Sequence, residues 1–510
     1  MVFSSAIFLF AFLPIVFGLC LLPIPLKAKN IILIFGSLFF YAFGEPVYVL
    51  LMLASSLFNY TFGRLLGMSS ISKMDIDISK EEVKKYVGIE KTKTPYRKLI
   101  LVIAVILNIG TLGVFKYTDF ILDIINKAFN LEIPLPGIAL PIGISFFTFQ
   151  ALSYVIDVYR NPAQEQKSYP AVLLYIAMFP QLVAGPIVKY GDVERQIYHR
   201  ERTTDEIVGG IERFCKGLFK KMFIANVVGA IADQIFALDI GEYNVLVTWL
   251  GAISYALQIY YDFSAYSDMA LGLGHMFGFT FKENFLHPYS AVSITDFWDR
   301  WHISLSSWFK EYVYVPLGGN RKGKARTEIN KLIVFLLTGI WHGANWTFIL
   351  WGMIHGVANV LEDTVLPINK LKGKLKVFGN LYTVLIATLA FVFFRADSIG
   401  YGLTFVKQMF TGWSMDAPSV SIFLEQMNIY NILTLIVAII FSYPVMAKIK
   451  SLITGKVSEE KTEEESGEGV IVKRMSTGEV IIAAVSICAL LLSILRLSSA
   501  AYNPFIYFRF

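Results

Sequence analysis

The stretch TDFWDRWHISLSSWFKEYVYVPLGGNRKG (Thr295–Gly323), followed by LLTGIWHGANWTFILWGMIHG (Leu336–Gly356), decides how this chain is read. Each block places a tryptophan directly before a histidine: Trp301-His302 and Trp341-His342. Imidazole both takes and gives a proton near neutral pH. Two such rings in apolar sequence point to acid–base chemistry inside a membrane, provided that the rest of the chain spans one.

Composition meets that condition. Of 510 residues, 55% are hydrophobic and 16% charged, and the mean hydropathy is +0.57. A soluble domain carries roughly 25% charged residues, so this chain belongs in lipid. Its 15% aromatic content suits lipid-facing and interfacial positions. The net charge of +6 is no nucleic-acid footprint, because Lys and Arg lie between apolar runs and form no single patch. Cys20, Cys215 and Cys488 lack ligand spacing, which excludes a disulfide framework and an ordinary zinc site. No carboxylate–histidine spacing reads as any other metal site.

The first segment, Ser4 to Pro25, has no basic leader and no small-residue cleavage site, and further spans follow at once. It reads as a retained anchor. Apolar runs recur near 30–43, 46–63, 99–118, 138–156, 170–188, 207–237, 245–277, 332–360, 376–394, 428–446 and 480–498. Pro141, Gly143, Pro180, Gly185 and Pro186 interrupt two of them, and broken helices at membrane depth occur where they are buried in protein or line a cavity. The expectation is an all-α polytopic membrane protein of about eleven transmembrane helices plus re-entrant pieces. It forms a single domain over 1–510, with a polar insertion near 447–478 and a short tail, 499–510. Lys80, Lys84, Lys85, Lys91, Lys93, Arg97 and Lys98 place the loop that holds them in the cytoplasm. The segment near 447–478 lies on the same side, and both chain ends lie outside.

Polar residues crowd the middle third. Asp262, Asp268, Asp296, Asp299, Arg300 and His302 sit in or against apolar sequence, where each charge costs about 2.5–3.5 kcal/mol on insertion scales. They read either as a network supporting a cavity or as an interfacial pair, Asp299 with Arg300, beside a belt of Trp298, Trp301 and Trp308. In the second block, Gly343 and Ala344 leave room beside His342 for a substrate or another backbone. Asn345, three positions on, would share its helical face and orient the imidazole. His355 is a lesser candidate. Gly318-Gly319-Asn320-Arg321 reads as a turn before a basic loop, and no phosphate-binding glycine loop is present.

Together the two quoted blocks resemble the membrane-bound O-acyltransferase superfamily, in its bacterial alginate O-acetyltransferase branch. PIGISFFTFQALSYVIDVYR (Pro141–Arg160) and FPQLVAGPIVKY (Phe179–Tyr190) carry the likeness upstream, so it extends from about 100 to about 395. The resemblance implies a ring of helices around a central tunnel. His342 would be the essential histidine and His302 the second active-site histidine. It also implies transfer of an acyl group, in the first place acetyl, from a cytoplasmic thioester such as acetyl-CoA to an extracytoplasmic polysaccharide. No cofactor would be bound, and the partner would be a Ser-hydrolase-like acetyltransferase on the outer face of the cell membrane.

The tail Pro504-Phe505-Ile506-Tyr507-Phe508-Arg509-Phe510 fits F-x-Y-x-x-F. That pattern resembles the acyl-accepting end of the small partner peptide of lipoteichoic-acid D-alanylation, which would make Tyr507 an acyl carrier; the plainer reading is an aromatic interfacial anchor. Two other functions stay open on sequence: a teichoic-acid D-alanyltransferase, and a transporter or flippase, although paired repeats with matching broken helices are not found.

Overall fold

The computed structural model describes residues 1–68, 70–71, 92–93, 95–160, 163–183, 185–239, 244–445, 477–499 and 502–506. Lys80, Lys84, Lys85 and Lys91, most of the polar insertion near 447–478, and Tyr507 lie outside the described residues. What is described is helical, apart from a two-residue antiparallel pair, β1 (Ser70–Ile71) with β2 (Thr92–Lys93). The helices fall into two compact units, one made of Met1, 12–183 and 187–201, the other of 2–11, 184–186 and 202–510.

The first unit contains α1 (Leu13–Leu21), α2 (Leu26–Ala42), α3 (Tyr48–Met68), α4 (Pro95–Phe129), α5 (Ile144–Arg160), α6 (Tyr169–Ala177), α7 (Phe179–Leu182) and α8 (Tyr190–Tyr198). Helices α3 and α4 meet through a reciprocal amide pair, Asn59 with Asn108, at 3.1 and 2.9 Å. Both side chains are buried, and a neutral pair satisfies itself in an apolar surround without a charge. Arg97, counted above among the loop cations, is buried instead. It donates to the carbonyls of Leu66 and Tyr159 at 2.8 and 2.9 Å, closing the C-terminal ends of α3 and α5. The expected breaks are present. Gly143 takes φ +77° just before α5, and a Cβ there would sit 2.7 Å from the Leu182 carbonyl oxygen. Helix α6 stops at Met178, directly before the Pro180 helix.

The second unit begins with α9 (Thr204–Phe219), whose N-terminus is a capping box between Thr203 and Glu206. A π-helical segment, Lys220–Ala225, joins it to α10 (Asn226–Phe236). The 32-residue α11 (Val245–Met276) packs along both. Then come two short helices, α12 (Ile294–Arg300) and α13 (Ile303–Phe309), the pair α14 (Lys324–His342) and α15 (Trp346–Thr364), and α16 (Lys376–Arg395). The chain continues through α17 (Ile399–Thr411), α18 (Ala417–Gln426), α19 (Ile429–Phe441) and α20 (Thr477–Ser499). The core is largely aromatic, with Tyr260, Tyr289, Phe297, Trp298, Trp301, Trp351 and Phe391 all buried in one cluster.

Among the described residues four helices are long and apolar enough to cross a membrane: Tyr48–Met68, Tyr96–Phe129, Gly373–Arg395 and Val480–Ser499. The pair α18 and α19, bent by 70°, makes a fifth if it counts as one broken span. This is fewer than the eleven expected. Several of the apolar runs fold as shorter helices, and α11 carries Asp262 and Asp268 within its length. The outermost of the four, α20, exposes Val480, Ile481, Val485, Leu491, Leu492 and Leu495. Such a surface is stable only against lipid, and the chain is a multi-pass membrane protein.

Candidate active site

His302 owes its position to an end-capped helix and a tight turn. At the start of α12 the Ser293 hydroxyl accepts the Asp296 N–H at 3.0 Å. The buried Glu362 carboxylate accepts the N–H groups of Ile294 and Thr295 at 2.5 and 3.2 Å. An anion there complements the positive end of the helix. After α12 the chain turns at His302, which adopts the left-handed conformation with φ 45° and ψ 52°. Asn284 holds that turn from below: its carbonyl accepts the Ile303 N–H at 3.0 Å, and its Oδ1 accepts the Ser304 N–H and hydroxyl at 3.1 and 2.9 Å.

The same oxygen sets the tautomer of His302. Nδ1 lies 3.3 Å from Asn284 Oδ1 and 3.4 Å from Ser304 Oγ. Oδ1 is fixed as an acceptor by the Ser304 N–H, and the Ser304 proton is already given to it. An acceptor at this distance favours the ring proton on Nδ1, which leaves Nε2 as the basic nitrogen. His302 sits on the turn between two short helices and not on a spanning helix, and burial among aromatic rings pushes it well below the usual histidine range. It is a neutral hydrogen-bond acceptor.

His342 is the last residue of α14. It is delivered by a crossing of α14 and α15 in which the backbones touch. A Cβ on Gly339 would lie 2.5 Å from the Phe348 carbonyl oxygen, and one on Gly352 would lie 2.4 Å from that of Phe335. Small residues at such crossings replace hydrophobic driving force with close packing. Replacing Gly352 with Val should push the helices apart at a cost of about 1–3 kcal/mol. A lowered unfolding temperature of the detergent-solubilised protein, with a matching loss of activity, is the expected result; an unchanged midpoint would contradict the crossing.

The two imidazoles line one cavity. Its walls are Ile259, Phe263, Trp301, His302, His342, Trp351, Phe391 and Phe394, all from the second unit. Its volume of ≈ 10 Å³ is about the least that admits one water. The Trp341 ring neighbours both histidines, 4.9 Å from that of His342 and 6.1 Å from that of His302. Trp351 and Phe394 meet His342 edge-on at 4.9 and 5.1 Å. The Trp351 indole N–H is buried and has no acceptor among the described residues, so the wall holds a hydrogen-bond donor not committed to the fold. No group of three or more metal-ligating side chains occurs among the described residues.

Four of the five residues expected to support the histidines have partners of their own, and the fifth, Asp299, is exposed. Asn345 does not share a helical face with His342, because α14 ends there and Gly343 is extended. Asn345 instead caps α15, accepting the Thr347 N–H and donating to the Asp397 carbonyl, both at 3.1 Å. Arg300 pairs with Asp296 at 2.6 Å rather than with Asp299, which is exposed; residues four apart on a helix face each other and adjacent ones do not. Asp262 is buried, in an ion pair with Lys221 at 2.6 Å. Trp298, Trp301 and Trp308 form no interfacial belt, since all three are buried.

One contributor escaped the sequence reading. Asn284 lies in the middle third but gives no local signal, because its partners are eighteen or more positions away. His355, the lesser candidate, lies on α15, beyond the break at Gly343 that ends the helix of His342. Fully buried, it meets Trp351 at 5.3 Å and stacks on Phe297 at 5.8 Å, so Trp351 touches both His342 and His355.

The chain is similar along its length to known proteins. The chain is 36% identical to the probable alginate O-acetylase AlgI of Azotobacter vinelandii over the full length of both. It is 34% identical to the peptidoglycan O-acetyltransferase of Helicobacter pylori over 80% of each chain. The teichoic acid D-alanyltransferase of Bacillus subtilis is less similar, at 28% identity over 42% of this chain and 57% of that protein. The family model of membrane-bound O-acyltransferases matches residues 84–403, a span that contains every wall of the histidine cavity. This chain therefore belongs to the membrane-bound O-acyltransferase family and is an O-acyltransferase.

Proposed function

We propose that the protein moves an acetyl group from a cytoplasmic thioester, acetyl-CoA or a related donor, to the outer face of the cytoplasmic membrane for O-acetylation of a cell-surface polysaccharide. The observation that carries this reading is the placement of His302 and His342 in one buried aromatic cavity. Similarity over the whole of one relative named as an O-acetylase and 80% of another named as an O-acetyltransferase supports acetyl as the group moved.

In this reading a basic nitrogen of His342 removes the proton of the attacking hydroxyl as its oxygen bonds to the thioester carbonyl carbon. The tetrahedral adduct then collapses, the C–S bond breaks, and the same proton passes to the departing thiolate. A neutral His302 with its proton on Nδ1 has no N–H to offer an oxyanion from Nε2. Its role is to accept a hydrogen bond and hold the tautomer of His342, while the Trp351 indole N–H is a buried donor for the developing negative charge. The attacking hydroxyl belongs to Tyr507, whose phenol ester is reactive enough to pass the acetyl group to a Ser-hydrolase-like partner outside the membrane.

The test is ester-linked acetate on surface polymers in a deletion strain with and without the gene. Acetate lost and restored supports the reading and names the polymer. Loss of ester-linked D-alanine in its place would assign the chain to the D-alanylating relatives, and no change in either ester would remove the acyl-transfer reading from the cell surface. For the carrier step, Tyr507→Phe should bring polymer acetate to the deletion level at normal protein amounts; full acetylation would remove Tyr507 from the route.

A further inference from the structure

The last described residues, 502–506, are built into the second unit as a strap. The Tyr502 hydroxyl donates to Asp233 at 2.6 Å. Asn226 on α10 donates to the side-chain oxygen of Asn503 at 3.2 Å, and Lys221 on the π-helical segment donates to the Pro504 carbonyl. As the strap's numbers rise, its partners' numbers fall, so it runs back along α10 to the π-helical segment that precedes it. Asp233 and Lys221 are twelve positions apart, about 18 Å at 1.5 Å per residue. The Phe505 ring stacks on Tyr266 at 4.6 Å, and the Ile506 N–H donates to Asp262 Oδ2 at 2.9 Å.

The seat at the inner end is an ion pair. Lys221 and Asp262 lie 2.6 Å apart with side chains 4% and 1% exposed. A charge pair taken this far from water is stable only where its remaining donors and acceptors are also matched. Here the strap supplies one contact to each member: the Pro504 carbonyl takes a proton of the ammonium, and the Ile506 N–H reaches the carboxylate's Oδ2. Asp262 is also the neighbour of Phe263, whose ring meets that of His302 at 4.6 Å. One helix therefore carries the strap's anchor and part of the cavity wall at consecutive positions.

We infer that Lys221 and Asp262 are positioning residues that seat the C-terminal strap, residues 502–506, beside the histidine cavity for acyl transfer to Tyr507. This rests on the carrier reading of Tyr507. Removing one partner alone would strand a buried charge and unfold the region, so the informative variant is the exchange, Lys221→Asp with Asp262→Lys. It keeps the ion pair. It also reverses both contacts to the strap, setting carboxylate against the Pro504 carbonyl and ammonium against the Ile506 N–H.

Two measurements on the full chain in lipid nanodiscs separate the claims: hydrogen exchange of the C-terminal peptide, and acetyl on Tyr507 by mass spectrometry after exposure to acetyl-CoA. The exchanged pair keeps its mutual attraction and should still reach the membrane, with a melting point lowered by the two reversed contacts, while the Ile506 amide exchanges about tenfold faster or more, the equivalent of one lost charge-assisted hydrogen bond. Tyr507 acetylation should fall with it. Equal exchange in the two proteins would overturn the seat whatever happens at Tyr507. Faster exchange with undiminished acetylation would overturn the positioning role. A wild-type protein that never carries acetyl on Tyr507 would instead overturn the carrier reading and the positioning role with it, leaving the seat to be judged on exchange alone.

Discussion

Replacing His342 with alanine should lower acetyl transfer by about 10²–10⁴-fold, the usual contribution of a positioned proton carrier. The amount of protein in the membrane should change little, because one wall residue of an already small cavity is removed. His342→Gln separates chemistry from packing. It fills much of the ring's volume and keeps a polar end, but an amide has no nitrogen that takes up a proton near neutral pH. Both variants should therefore lose polymer acetate together, and thiol release from acetyl-CoA in membrane vesicles should fall in parallel. Recovery of activity in the glutamine variant would show that His342 packs and does not transfer protons.

The second large effect is expected at His302, where the backbone dictates which variant is informative. At φ 45° an alanine adds strain of roughly 1–2 kcal/mol, whereas asparagine enters the left-handed region readily. His302→Asn should thus fold like wild type, yet lose about 10²-fold or more in transfer, because the nitrogen that faces away from Asn284 is gone. Circular dichroism and melting of the purified variant check the first half, and initial rates of thiol release check the second. A melting point as low as that of His302→Ala would mean that the ring, and not the backbone, holds the turn. Wild-type rates in His302→Asn would leave His342 as the only chemical histidine of the pair.

How far these residues were legible follows from the range of their interactions. The two histidines announce themselves because tryptophan-histidine pairs in apolar sequence are uncommon and both fall inside one resemblance. Helix breaks at Gly143 and Pro180 were readable for the same local reason: proline and glycine act on their own backbone. Asn345 was misread because its reading assumed that α14 continued past His342, and a single extended glycine ended it. Asp299 was paired with Arg300 by adjacency when helical geometry favours Asp296. Lys221, Asn284 and Glu362 were invisible, each acting on a residue at least eighteen positions away. Arg97 looked like an orienting loop cation, and only the three-dimensional meeting of α3 and α5 makes it a cap. An apolar run shows that a segment is buried, and burial against protein or against lipid leaves the same composition, so composition alone does not fix the number of spans.

Helix α15 ties these features together mechanically. Its Gly352 meets α14, which ends in His342, and its Glu362, ten positions on, holds the start of α12, which leads into His302. About 15 Å of one rod thus serves as the gauge block between the two imidazoles. Thermal bending of neighbouring helices can swing that rod, but both rings travel with it as cargo on one beam. The spacing between them then depends on the stiffness of a single helix, the stiffest part a small membrane protein has to offer, while the segments that meet donor and acceptor are left to vary.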